Sequence, residues 1–182
     1  MTFMNKPRFA VLIGMILVAT LMRLIPHPPN FTPLTAMALF GGACFADKRL
    51  AFLVPLMALF LSDLVLPADA LMPVVYGSFA LIVCLGFWLR RQRNATRVIG
   101  ASIAGAVIFF ILTNFGAWAV DTLHLYPKTM SGLIDCYVMA IPFFGNTLIS
   151  SLLYSALLFG GLALAESRFT GLREYRPVPG AV

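Results

Sequence analysis

Apolar residues in this chain come in long runs separated by short polar or charged stretches. A helix needs about 20 apolar residues to cross roughly 30 Å of hydrocarbon. Runs of that kind predict membrane spans at residues 9–25, 31–46, 50–66, 71–89, 98–120 and 142–165. The second is short: its apolar core, Pro33 to Phe45, has Thr32 as the expected N-cap and Pro33 as the expected first helical residue. The last apolar stretch, Ser131 to Ala165, is too long for one straight span, with Pro142 and Gly145 as natural break points. It is therefore expected to divide into a short outer helix at 131–141 and a sixth span.

Composition agrees with the pattern. Of 182 residues 60% are hydrophobic and 11% charged, with a mean hydropathy of +0.92. A soluble domain carries about a quarter charged residues, so a water-facing surface could not be covered. The expected fold is an all-α integral membrane protein, a single domain of six transmembrane helices, with an uncleaved first helix.

The charges then orient the spans. Lys6, Arg8, Lys48, Arg49, Arg90, Arg91, Arg93, Arg97, Arg168, Arg173 and Arg176 alternate with segments that hold only Arg23 and Lys128. Eleven against two predicts cytoplasmic N and C termini in an inner or plasma membrane. The net charge of +6 flanks apolar runs and forms no stripe of its own, which argues against nucleic acid.

This orientation sends most polar chemistry to the outer side. The candidate solute-binding residues there are Arg23, His27, Asn30, Asp63, Asn114, Trp118, Asp135, Cys136, Tyr137 and Asn146. Amide and ionisable groups at membrane depth face a cavity or a partner, so one outward-opening pocket is expected. Each residue alone has a plainer reading, as a helix cap or as glue between helices. The proline-rich run from Ile25 to Pro33 and the run from Tyr126 to Gly132 suit either a lid or ordinary connectors.

No phosphate-binding glycine loop, HExxH pair or GxSxG elbow is present, so no enzyme activity and no cofactor are expected. His27, His124, Asp135 and Cys136 are of metal-ligand type but lie in loose segments. Small residues four apart mark tight helix contacts at Ala38 and Gly42, at Ala101 and Gly105, and at Ala10 and Gly14. The last pair sits on an otherwise aliphatic helix and is the candidate contact with a partner helix.

Several segments carry a resemblance. Arg23 with His27-Pro28-Pro29-Asn30-Phe31-Thr32-Pro33, then Ala38-Leu39-Phe40-Gly41-Gly42-Ala43, Leu61-Ser62-Asp63-Leu64, Thr113-Asn114-Phe115-Gly116-Ala117-Trp118, and Cys136-Tyr137 through Pro142-Phe143-Phe144-Gly145-Asn146, resemble a bacterial family classed with membrane transport proteins. That family is similar to the substrate-capture (S) components of energy-coupling-factor transporters. The resemblance implies a six-helix bundle holding a vitamin-type solute near the outer surface, and a coupling module of one membrane subunit and two ATPase subunits. It also implies that Ala10 and Gly14 meet the coupling subunit, and it extends to a cobalt-coordinating role for Cys136. The rivals are an S-like membrane scaffold and, third, a membrane enzyme facing outward. A single pocket gathering Asp63, Asn114, Trp118, Asp135 and Asn146 would separate transport from scaffolding.

Overall fold

The computed structural model describes residues 6–67 and 69–173. Arg176, counted above with the basic side, lies outside them. The described residues form six α-helices and no strands: α1 Lys6–Leu24, α2 Leu34–Cys44, α3 Lys48–Asp63, α4 Met72–Leu89, α5 Ala95–Val120 and α6 Met130–Arg168, followed by a 3₁₀ turn at Thr170–Leu172. Four of them, α1, α4, α5 and α6, are long and apolar enough to cross a membrane.

The helices run alternately up and down, so the bundle has two unlike ends. One carries ten described basic residues, from Lys6 to Arg173, and two carboxylates, Asp47 and Glu166. The other carries Arg23 and Lys128 with Asp63, Asp69, Asp121 and Asp135. The periphery is apolar: Val18, Leu21, Phe60, Trp88, Ile99 and Leu157 are among the large side chains exposed around it.

The short α2 is the axis of the bundle. All eleven of its residues are buried, and it touches each of the other five helices. A helix wrapped in protein needs no full-length apolar exterior, which is why its run is shorter than a lipid-facing span requires. Close approach makes this possible. A Cβ on Gly42 would lie 2.1 Å from the Val83 carbonyl oxygen, and the Gly86 Cα is 2.9 Å from the same point. On α5, Gly105 packs against the Thr35 methyl of α2. Two of the three small-residue pairs thus serve packing inside the bundle.

The ends of α2 are not capped as the sequence predicts. Pro33, not Thr32, occupies the N-cap, with no side-chain cap, and the helix starts at Leu34. Pro33 supplies no N–H, so it suits the half-in position as well as the first turn. At the other end Arg90 donates from Nε to the Gly42 carbonyl at 2.8 Å, from Nη2 to Phe45 at 2.7 Å and from Nη1 to Ala46 at 3.1 Å. A cation there also answers the negative end of the helix dipole.

The expected break at Pro142 does not occur. α6 is one helix of 39 residues, and the segment 131–141 is its first turns, not a separate outer helix or lid. At about 1.5 Å per residue it is nearly 60 Å long, well beyond the ~30 Å of hydrocarbon. Proline removes one intrahelical donor, but flanking turns continue where the rest of the backbone is paired. The first turns are held down instead: the Thr129 hydroxyl caps Gly132 N at 3.2 Å, and Tyr137 donates to the Ile111 carbonyl at 2.7 Å.

Candidate functional site

The acidic end holds two cavities and three separate groups of polar side chains. The first group joins α1, α3 and α4. Arg23, in the last turn of α1, donates through Nη1 to Ser62 Oγ and Asp63 Oδ1, and the Tyr76 hydroxyl donates to Asp63 Oδ2 at 2.8 Å. The Asp63 side chain is 8% exposed and that of Arg23 15%. A carboxylate at the C-terminus of α3 meets the negative end of the helix dipole, so it needs these partners, whereas Arg23 at the end of α1 is favourably placed on its own account. Ser62 completes the group by donating to the Leu59 carbonyl at 2.7 Å.

Beside this ion pair lies a cavity of about 540 Å³, lined by Arg23, Asp63, Asp69, Met72, Val75 and Thr122 among others. Asp69 accepts from Leu71 N at 2.9 Å at the entry to α4. A neighbouring cavity of about 330 Å³ shares Asp69 and is walled by Asp121, Leu125 and Tyr126.

The second group organises the turn after α5. Asp121 adopts the left-handed conformation, φ 32°, and its carboxylate accepts from Leu125 N at 2.9 Å and Tyr126 N at 3.0 Å. Lys128 stands 3.8 Å from the same carboxylate and donates to the Trp118 carbonyl, while Trp118 Nε1 donates to Pro127 at 3.0 Å. The Tyr126 backbone N–H first, then that of Leu125 and the Lys128 ammonium, hold the Asp121 carboxyl below its ordinary range. Burial pushes the Tyr126 phenol up.

Close by, Asn114 gives its amide to the Phe110 carbonyl one turn back at 2.7 Å, and the Cys136 thiol donates to the Asn114 carbonyl at 3.4 Å. These two and Tyr137 tie α5 to α6 and line neither cavity. The third group pins the first loop: Asn146 Nδ2 donates to the Pro29 carbonyl at 2.9 Å, beside a turn where Asn30 takes φ 61°. His27 is exposed with Nδ1 3.0 Å from the Pro28 carbonyl, and Asp135 is exposed on α6.

The ten predicted site residues therefore do not share one pocket. Arg23 and Asp63 meet at a cavity; Asn114, Trp118, Cys136 and Tyr137 belong to the α5–α6 turn; Asn146, His27 and Asn30 belong to the first loop. Among the described residues no three His, Cys, Asp or Glu side chains come together as a metal site would require. Tyr76 and Thr122 were missed. Tyr76 left one signal, a lone phenol in an apolar span, which needs a partner when buried. On α1, Ala10 is exposed and a Cβ on Gly14 would meet nothing within 4 Å, so that face is open.

Residues 3–174 match the model of a family of unknown function, DUF6580, and the chain belongs to that family. No curated protein and no solved structure matches it.

Proposed function

We propose that this protein is a multi-pass protein of the bacterial inner membrane that captures a small solute on its outer side and releases it inward, without enzyme activity. In this reading the basic end is cytoplasmic, following the excess of Lys and Arg there. All six helices belong to the membrane domain, with α2 and α3 short because their neighbours shield them. The protein works as the substrate-binding component of an energy-coupling-factor-like transporter. The open face around Ala10 and Gly14 is then where a coupling subunit, itself served by two ATPase subunits, docks.

One observation carries the reading: the Arg23–Asp63 pair, held by Tyr76, forms the wall of a 540 Å³ cavity at the end with the carboxylates. Concave sites with a few convergent polar groups among apolar walls are where small ligands bind. The single pocket of Asp63, Asn114, Trp118, Asp135 and Asn146 expected of a transporter is not formed, so the reading rests on this smaller site alone, built on α1, α3, α4 and the turn after α5. Native mass spectrometry of gently purified protein is the test. Transport predicts a retained metabolite that is lost in Asp63→Asn while the fold persists. Protein that carries no metabolite, and that no vitamin-sized solute stabilises against heat, would sink the capture role.

The S-like scaffold is the second reading, and the dispersal of the other eight candidates favours it. Asn114, Cys136, Tyr137 and Asn146 spend their polar atoms on backbone carbonyls, as structural glue does. A scaffold predicts that Asp63→Asn leaves co-purifying envelope proteins unchanged.

A further inference from the structure

The two cavities at the acidic end meet along one edge, since Asp69, Ala70 and Thr122 line both. What each charge in their walls already does decides what an occupant must supply. Arg23 and Asp63 answer each other as an ion pair, and Asp63 Oδ2 takes the Tyr76 hydroxyl at 2.8 Å. Asp121 accepts from Leu125 N and Tyr126 N, with the Lys128 ammonium 3.8 Å away. Asp69 differs from both. Its Oδ1 accepts from Leu71 N at 2.9 Å, but among the described residues nothing donates to Oδ2 and no basic side chain pairs with it.

The larger cavity therefore holds one positive and two negative side chains, and the smaller holds two negative ones with Lys128 beside the first. In each the charge left over is the same one, Asp69. The surrounding end has that sign too: Arg23 and Lys128 stand against Asp63, Asp69, Asp121 and Asp135 among the described residues, although the whole chain is +6. Such a field draws cations to the mouth and turns anions away.

The remaining lining sets the character of the guest. Leu66, Pro67, Met72 and Val75 form an apolar wall, and 540 Å³ lies within the range of about 300–1,000 Å³ usual for small-molecule sites. A bare metal ion suits neither feature. It would leave the apolar wall unused, and no three described His, Cys, Asp or Glu side chains gather to replace its water.

We infer that the solute is a small organic cation, its ammonium group at Asp69 and its apolar body against Met72 and Val75. This rests on the capture reading of the same cavity and narrows it to one charge class. Arg23 does not call for an anion, because its charge is already balanced inside the wall by Asp63.

Three probes of one shape separate charge from fit: benzylamine, protonated at pH 7, benzyl alcohol and benzoate. Isothermal titration of full-length protein in a non-ionic detergent reads their binding. Benzylammonium should bind about tenfold or more tighter than benzoate, with the alcohol between, the scale of one charge-assisted contact. Asp69→Asn, which keeps an oxygen for Leu71 N, should bring that ratio close to one. Thr122→Lys sets a cation in the same wall without touching the entry to α4, and should do the same if Asp69→Asn does not fold. Asp135→Asn, exposed at the same end but lining neither cavity, should leave the ratio unchanged. Benzoate binding as tightly as benzylammonium, a ratio that survives both cavity variants, or an equal drop in Asp135→Asn would each overturn the cation class while leaving solute capture standing. If none of the three probes and no vitamin-sized solute binds, capture falls and the cation class falls with it.

Discussion

Two ion pairs, fifteen residues apart on α1, have the same chemistry and different surroundings. At the basic end Arg8 is 3% exposed, and its Nη1 donates to Glu166 Oε1 and to the Leu172 carbonyl. It ties α1 to the end of α6 and to the 3₁₀ turn. At the acidic end Arg23 ties α1 to α3, but its carboxylate is shared with Tyr76 and borders a cavity. The first pair lines none of the cavities described, and although its Glu166 side chain is 25% exposed it serves to hold the fold together. The second is open to a ligand, and a solute could compete for either charge. A neighbouring void, more than residue type or burial, marks the second pair as a candidate binding wall.

Variants can break that contrast. Arg8→Ala should cost the most stability, about 3 kcal/mol, because it removes a nearly buried arginine that holds Glu166 and the Leu172 carbonyl at once. Denaturant unfolding in micelles measures it, and a loss no larger than for Arg23→Ala would erase the distinction between the ends. Asp63→Asn should cost about 1–3 kcal/mol, since Ser62 still receives Arg23 and water can enter from the cavity. Its larger effect falls on solute retention, about tenfold or more for a lost charge-assisted contact. Tyr76→Phe removes one hydrogen bond, about 1 kcal/mol, and weakens solute retention without abolishing it; unchanged retention would take Tyr76 out of the site.

The smallest effect is a pH dependence. Asp121 is held below its ordinary value of 3.8, so its contribution is complete above that value and fades as pH falls through the lower folded value. Wild type should therefore lose stability below about pH 4 more steeply than Asp121→Asn, as thermal unfolding at stepped pH would reveal. Parallel curves for the two proteins would show that the turn draws nothing from that charge.

The features readable in advance were local ones. Long apolar runs located all six helices, and alternating Lys and Arg sorted their ends, because both patterns are written along the chain itself. Side is a one-dimensional property. The direction in which a side chain points around its helix is not, and that decided the site. Asn114 and Asp63 were assigned to the same side, yet Asn114 turns to its own backbone at Phe110 while Asp63 turns to Arg23, forty residues away. The cap of α2 was likewise hidden, since its donor, Arg90, lies 48 residues beyond Gly42 and counts in sequence only as one of a basic cluster. Pro142 misled because it removes one donor only, and the turns on either side keep their own backbone bonds in a helix that packs on α5 and α2.

The burial of α2 has a consequence for biogenesis. An eleven-residue helix rises about 16 Å, roughly half the hydrocarbon depth, and could not partition into a bilayer as an independent segment. The carbonyls of Gly42 in its last turn, and of Phe45 and Ala46 just beyond it, take their side-chain donor from Arg90, at the end of α4. The carbonyl end of α2 is therefore completed by α4 and not by either of its neighbours in sequence, so a chain cut before Arg90 would carry the bundle's axis without its closing donor.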